Sequence, residues 1–183
     1  RQLDKPMWIV TPGEAEATRF AADLNTLGIP AAVFPARDYV LRPIEGTARE
    51  YEYRRLAVLG ELVGGRLRAV AVPAEALTQF TTPKEDFCAN TRTLHAGDTL
   101  LRDDLLAALF GAGYTRRAQV DGPGQFSVRG DIVDIFAPDQ KMPVRMEFWG
   151  DEIDTLHTFD LTTQRREAAI DKFYLSPARE LLF

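Results

Sequence analysis

Cysteine is almost missing from this chain. Cys88 stands alone among 183 residues, which excludes an internal disulfide framework and fits a reducing compartment. Nor does it sit in a catalytic-thiol pattern with a histidine. Histidine is nearly as scarce, and His95 and His157 do not stand at metal-ligand spacing with cysteines or carboxylates, so both read as surface or structural residues. No apolar run approaches the ~20 residues that cross a bilayer, and no signal peptide opens the chain. The expectation is a cytoplasmic protein without membrane contact. Positive charge is also in deficit. Lys and Arg number 22 against 27 Asp and Glu, a net charge of -5 and a pI near 5.1. That opposes a nucleic-acid module held by bulk electrostatics and leaves room only for a local basic patch.

A nucleotide loop is missing as well. Gly-x-x-x-x-Gly-Lys-Ser/Thr cradles phosphates on glycine amides while its lysine neutralises them, and nothing here matches. Thr11-Pro12-Gly13-Glu14 follows a strand and opens a helix. It has no lysine, however, and sets a carboxylate where phosphate would lie, so it reads as a capping box. Asp151, Glu152 and Asp154 charge a turn and protect a sheet edge more simply than they perform acid-base work. The sequence therefore predicts no catalytic residue, no metal and no cofactor.

What is present is ordinary globular material, 45% hydrophobic and 27% charged, long enough for a sizeable core. Met7-Trp8-Ile9-Val10 suits a buried strand. A helix carrying Phe20, Leu24 and Leu27 at helical intervals follows, and Gly28 stops it. Ala31–Phe34 reads as a second strand. After a proline-rich and charged loop over 35–46, Thr47-Ala48-Arg49-Glu50 forms a second capping box and opens a helix through Leu56, Leu59 and Val63. Residues 68–72 make a third strand closed by Pro73. Strands alternating with helices imply a parallel sheet.

The texture changes near residue 79. Residues 80–99 are polar and weakly periodic. A helix is predicted around 102–112 with Leu105, Leu109 and Phe110 inward. Beyond it an antiparallel-like pattern runs through 116–120, 126–129, 131–136 and 144–149. The fold class is thus α/β: a partial parallel α/β lobe followed by a small α+β domain with an antiparallel sheet. Arg1-Gln2-Leu3 at the start and Glu180–Phe183 at the end read as the cut ends of something longer.

One patch stands out. Strand alternation sends Val144, Met146 and Phe148 to one face and Arg145, Glu147 and Trp149 to the other. An exposed arginine, carboxylate and tryptophan in a row have the composition of a protein-binding hot spot. Arg129 on the neighbouring strand joins that face, and Arg116 and Arg117 flank the same hairpin. The same residues equally describe a solvated sheet face whose arginines pair with Glu147 and Asp131 beneath a covering tryptophan.

Gly124-Gln125-Phe126-Ser127-Val128-Arg129-Gly130-Asp131-Ile132-Val133-Asp134-Ile135-Phe136 resembles the signature shared by UvrB and the transcription-repair coupling factor. Val144 to Asp154, then Phe159-Asp160 and Thr163-Gln164-Arg165, continue the resemblance in order, and it covers most of residues 99–179. Ser127, where UvrB usually has arginine, favours the coupling factor, as do the stretch from Phe34-Pro35-Ala36-Arg37-Asp38 to Arg49-Glu50 and Thr163-Gln164-Arg165. The resemblance implies three regions: 1–78, a partial α/β lobe like UvrB domain 1a; 79–166, a UvrA-binding α+β domain like UvrB domain 2; and 167–183, the start of a domain 1b-like return to the lobe.

It also implies a function. The full-length family member is an ATP-driven DNA translocase that displaces stalled RNA polymerase and summons UvrA. RNA polymerase and DNA would be engaged by parts outside this chain, and a C-terminal domain outside it could pack on the UvrA-binding face. The family's UvrA contacts carry over onto Arg129, Arg145 and Trp149, where the family commonly has phenylalanine. Glu147 and Arg116 are the secondary carry-overs. The competing reading is a fragment of UvrB, the damage-verifying helicase subunit. A stand-alone nucleic-acid binder is opposed by the acidic balance.

Overall fold

The computed structural model describes residues 5–37 and 47–180, and the chain divides into two compact units, Arg1–Thr81 and Thr82–Phe183. No helix among the described residues is long and apolar enough to cross a membrane.

In the first unit β1 (Met7–Thr11), α1 (Glu14–Thr26), β2 (Ala31–Val33), α2 (Thr47–Val63), β3 (Ala69–Pro73) and the short α3 (Ala74–Leu77) follow one another. The three strands form a sheet of order β1-β3-β2, parallel throughout. The central strand is buried at every residue, as a strand with both faces covered must be, and its Ala-Val-Ala-Val sequence supplies apolar groups to both. Strand β1 corrects an expectation. It lies at the edge of this sheet, so Met7, Trp8 and Val10 are exposed although their run of apolar residues suggested burial.

Helix α1 packs on the sheet through its small residues, Ala17 and Ala21 against Ala71, while Phe20 and Leu27 at its C-terminal side stay exposed. The capping box at Thr11 is not formed. The helix starts at Glu14 with Gly13 as its N-cap and no side-chain cap, and the Thr11 hydroxyl donates to the Gly13 carbonyl at 2.9 Å. The stop at Gly28 has a clear cause, because its left-handed backbone (φ 76°) favours a residue without Cβ. The second capping box rests on the side chain of Thr47, which lies outside the described residues, as do residues 38–46 of the loop before it. On α2, fully buried Arg55 donates to the Pro35 carbonyl and the Thr81 hydroxyl, each at 2.8 Å, with its guanidinium 4.0 Å from the Phe34 ring centre.

The second unit contains α4 (Lys84–Ala89), β4 (Arg92–His95), α5 (Arg102–Gly111), β5 (Thr115–Arg116), β6 (Gln125–Arg129), β7 (Ile132–Phe136), β8 (Val144–Trp149), β9 (Glu152–Phe159), β10 (Arg166–Ala169) and β11 (Lys172–Leu175). Six strands form one sheet of order β10-β9-β8-β7-β6-β5, and β11 pairs with β4 in a second. Leu105 and Leu109 of α5 share one core with Phe126, Val133, Ile135 and Met146 of the large sheet.

Three sequence expectations change here. Residues 80–99, read as polar and weakly periodic, contain α4 and β4, which are too short for a periodicity to register. The strand expected over 116–120 shrinks to two residues and runs parallel to β6. Phe110 is exposed, its ring T-shaped to that of Phe126 with ring centres 5.2 Å apart. The boundary drawn near residue 79 compares with a division after Thr81, whereas residues 167–183 fall within the second unit, where β10 pairs with β9 and β11 with β4.

Candidate functional site

Strand β8 decides the site because it lies inside the six-stranded sheet, paired with β7 on one side and β9 on the other. Val144, Met146 and Phe148 are buried in the core beneath the sheet, which leaves Arg145, Glu147 and Trp149 on the opposite face. Trp149 is 83% exposed. A β-bulge falls between Glu147 and Phe148. Glu147 faces Thr155 and Phe148 faces Ile153, so the extra residue, Asp154, belongs to β9 and the alternation of β8 runs through undisturbed.

The turns on either side of this face are anchored. Leu100 donates its N–H to the Asp151 carbonyl at 2.7 Å and Phe148 donates its own to the Asp131 carbonyl at 2.8 Å. Arg102 of α5 donates to the Gly130 carbonyl at 2.8 Å and pairs with Asp131 at 3.1 Å. Trp149 therefore stands on a platform tied down at both turns.

Cross-strand register sets Ser127, Asp134, Arg145 and His157 in one row, and Arg129, Ile132, Glu147 and Thr155 in the next. The centre of the face is Asp134, whose side chain is 0% exposed. Arg145 grips it with both edges of its fork, Nε to Oδ1 at 2.7 Å and Nη2 to Oδ2 at 2.9 Å, the bidentate geometry that makes such pairs strong. Arg145 also donates from Nη1 to the Gln164 carbonyl at 3.2 Å, and its guanidinium carbon lies 4.7 Å from the Phe159 ring centre. Its side chain is only 11% exposed. The hydrogen bonds to Asp134 hold the Arg145 pKa above its ordinary value, against the opposing effect of burial. Arg129 donates once, from Nη2 to Asp134 Oδ2 at 2.7 Å, and its side chain remains 48% exposed.

Of the residues singled out from sequence, Arg129, Arg145, Glu147 and Trp149 thus share one face. Arg116 does not join them. It is exposed, but it pairs in register with Phe126, one position out of phase with the Ser127 and Arg129 rows and on the outermost strand. The alternative ion pairing considered from sequence is replaced as well. Asp131 pairs with Arg102, Glu147 pairs with Arg166, and both site arginines pair with Asp134.

Sequence reasoning missed Asp134 and Arg166. A carboxylate at an outward position between the apolar residues Val133 and Ile135 was the available signal for the first. Arg166 is brought in by β10, a strand that no periodicity announced. Among the described residues, no group of three or more His, Cys, Asp or Glu side chains could hold a metal ion. What the face offers is recognition: an exposed aromatic disc, the half-exposed guanidinium groups of Arg129 and Arg166, and a buried ionic network centred on Asp134.

The sheet and its polar-aromatic face are those of an interaction module. Residues 93–181 match the UvrB interaction domain family, running past the boundary at 166 to include β10 and β11. Beyond that segment, the similarity spans nearly the whole chain. It is 28% identical to the transcription-repair-coupling factor of Bacillus subtilis over 99% of its length, and 36% identical to that of Mycobacterium bovis over 91%. The UvrABC system protein B of Chlorobium limicola is 31% identical over 84% of the chain. Residues 93–181 thus carry the UvrB interaction domain, and the chain as a whole is similar to a segment of the transcription-repair-coupling factors. It spans only 16%, 14% and 22% of the length of these three relatives.

Proposed function

We propose that this chain is the UvrA-recruiting region of a transcription-repair coupling factor, a protein that links stalled RNA polymerase to nucleotide excision repair. The observation that carries the reading is the exposed Trp149 beside Arg129 and Arg145 on the outer face of the six-stranded sheet, in a segment matching the UvrB interaction domain. An exposed aromatic flanked by arginines has the composition from which binding hot spots are built. The binding face is built from Arg129, Arg145 and Trp149, with Glu147 at its border.

The region works as an adaptor and performs no chemistry of its own. ATP hydrolysis, DNA translocation and contact with RNA polymerase belong to parts of the relatives that this chain does not span, and the setting is the cytoplasm. Another domain of the same longer protein could mask the face until UvrA is needed. The similarity to the Chlorobium UvrABC system protein B keeps a second reading in view, a piece of the UvrB helicase subunit. Under that reading the chain would support DNA binding at physiological salt.

Titration of purified UvrA with the chain, followed by calorimetry, tests the adaptor reading. Saturable one-to-one binding is expected, weakened roughly tenfold or more by Arg129→Ala with no change in the folded circular dichroism signal. A wild-type chain that is folded yet gives no heat of binding would sink it.

A further inference from the structure

Asp134 is an unusual residue to find at the middle of an interaction face, because no part of its side chain is exposed. A carboxylate removed from water loses its hydration, and ion pairs rarely return more stability than well-packed apolar residues in the same space. Stability alone therefore does not account for it. Its contacts suggest another role. Both oxygens are taken by guanidinium groups, Oδ1 by Arg145 and Oδ2 by Arg145 and Arg129 together.

The two arginines are left in different conditions. Arg145 has Nε, Nη1 and Nη2 all engaged and is nearly covered. Arg129 makes one hydrogen bond among the described residues, from a guanidinium that carries five N–H groups. One terminal nitrogen is pinned and the remaining edge faces outward on the side of the sheet that carries Trp149.

We infer that Asp134 is the positioning residue of this face: without touching the partner, it locks Arg145 as a buried brace and holds Arg129 so that its free edge is presented to a carboxylate of the partner. This inference rests on the reading of the face as the UvrA-binding surface. It assigns the arginines unequal roles, with Arg129 making the contact and Arg145 fixing the geometry.

The sign of one substitution separates positioning from simple charge. Asp134→Asn keeps the shape and removes a negative charge from beneath the face. If only net charge mattered, an acidic partner group would bind the variant as well as the parent or better. Positioning requires the opposite, a loss of roughly tenfold or more in UvrA affinity. The Asp134→Asn and Arg129→Ala losses must also be coupled, the double variant losing clearly less than the product of the two single fold losses. A folded Asp134→Asn chain with parental affinity, or with a loss that multiplies cleanly with that of Arg129→Ala, overturns the inference.

If Asp134→Asn does not fold, the wild-type chain still decides through the arginine side-chain signals of a 15N-edited NMR spectrum. A slowly exchanging Nε–H assigned to Arg145, beside a rapidly exchanging one for Arg129, is the expected result. Equal, fast exchange at both refutes the brace. That spectrum needs no partner, so an absence of UvrA binding would end the functional reading while the brace is judged separately.

Discussion

Phe148 and Trp149 are adjacent aromatics on opposite sides of β8, so a substitution at each tests a different property. Phe148 is buried in the second unit's core, and Phe148→Ala should cost about 3–5 kcal/mol of stability by opening a cavity there. Trp149 is exposed. Trp149→Ala should leave the melting temperature almost unchanged while reducing UvrA affinity by about 2 kcal/mol or more, the scale of a hot-spot aromatic. Thermal melts and UvrA titrations on the two variants check both statements, and a stable Phe148→Ala beside an unfolded Trp149→Ala would reverse the faces. This much was legible in the sequence, because Val144-Arg145-Met146-Glu147-Phe148-Trp149 alternates cleanly and a strand has only two sides. The partner of the arginines was not. Asp131 and Glu147 lie as near in sequence as Asp134 does, and only the cross-strand register of β6, β7 and β8 puts Asp134 between Arg129 and Arg145.

At the scale of elements, the turns that frame the face carry their own tests. Gly150 has a left-handed backbone with φ 63°, and a Cβ built there would meet nothing within 4 Å. The cost of Gly150→Ala is therefore conformational alone, about 1 kcal/mol by urea denaturation, with Gly150→Asn costing less. The turn after β9 is set by the Asp160 carboxylate, which accepts from the Thr163 and Thr162 amides at 2.7 and 3.1 Å. The backbone hydrogen bond from Thr163, foremost among its causes, lowers the Asp160 pKa below its ordinary 3.8. A carboxylate whose pKa is depressed by folding stabilises the turn above the ordinary value and loses that contribution as the pH falls through the folded one. The Thr163 amide signal should accordingly hold steady down to about pH 4 and titrate below it. A shift centred above 3.8 would contradict the hydrogen-bond account. The same turn delivers the Gln164 carbonyl to Arg145, a link that no local sequence pattern announces. Short elements were equally hard to read. Two-residue β5 and six-residue α4 offer less than two full periods of any hydrophobic repeat, whereas β3 and α5 announced themselves.

For the molecule as a whole, the second unit has a core of its own drawn from α5 and the six-stranded sheet, and the entire candidate face lies within it. A polypeptide of residues 82–183 alone should therefore fold cooperatively and bind UvrA within about threefold of the full chain. Loss of binding in a folded 82–183 piece would implicate the α/β unit. The division into an α/β unit and an α+β unit was readable because helix-period and strand-period patterns change over near residue 79. The pairing of β11 with β4 was not, since it joins two strands far apart in sequence. The extra residue at Asp154 has a further consequence, for how such a molecule can vary in descent. An insertion or deletion on β8 would turn every side chain beyond it to the wrong side of the sheet. On β9 a spare residue has already been absorbed without rephasing its neighbour, so the β9 strand is where a lineage can gain or lose a residue and still inherit its recognition surface intact.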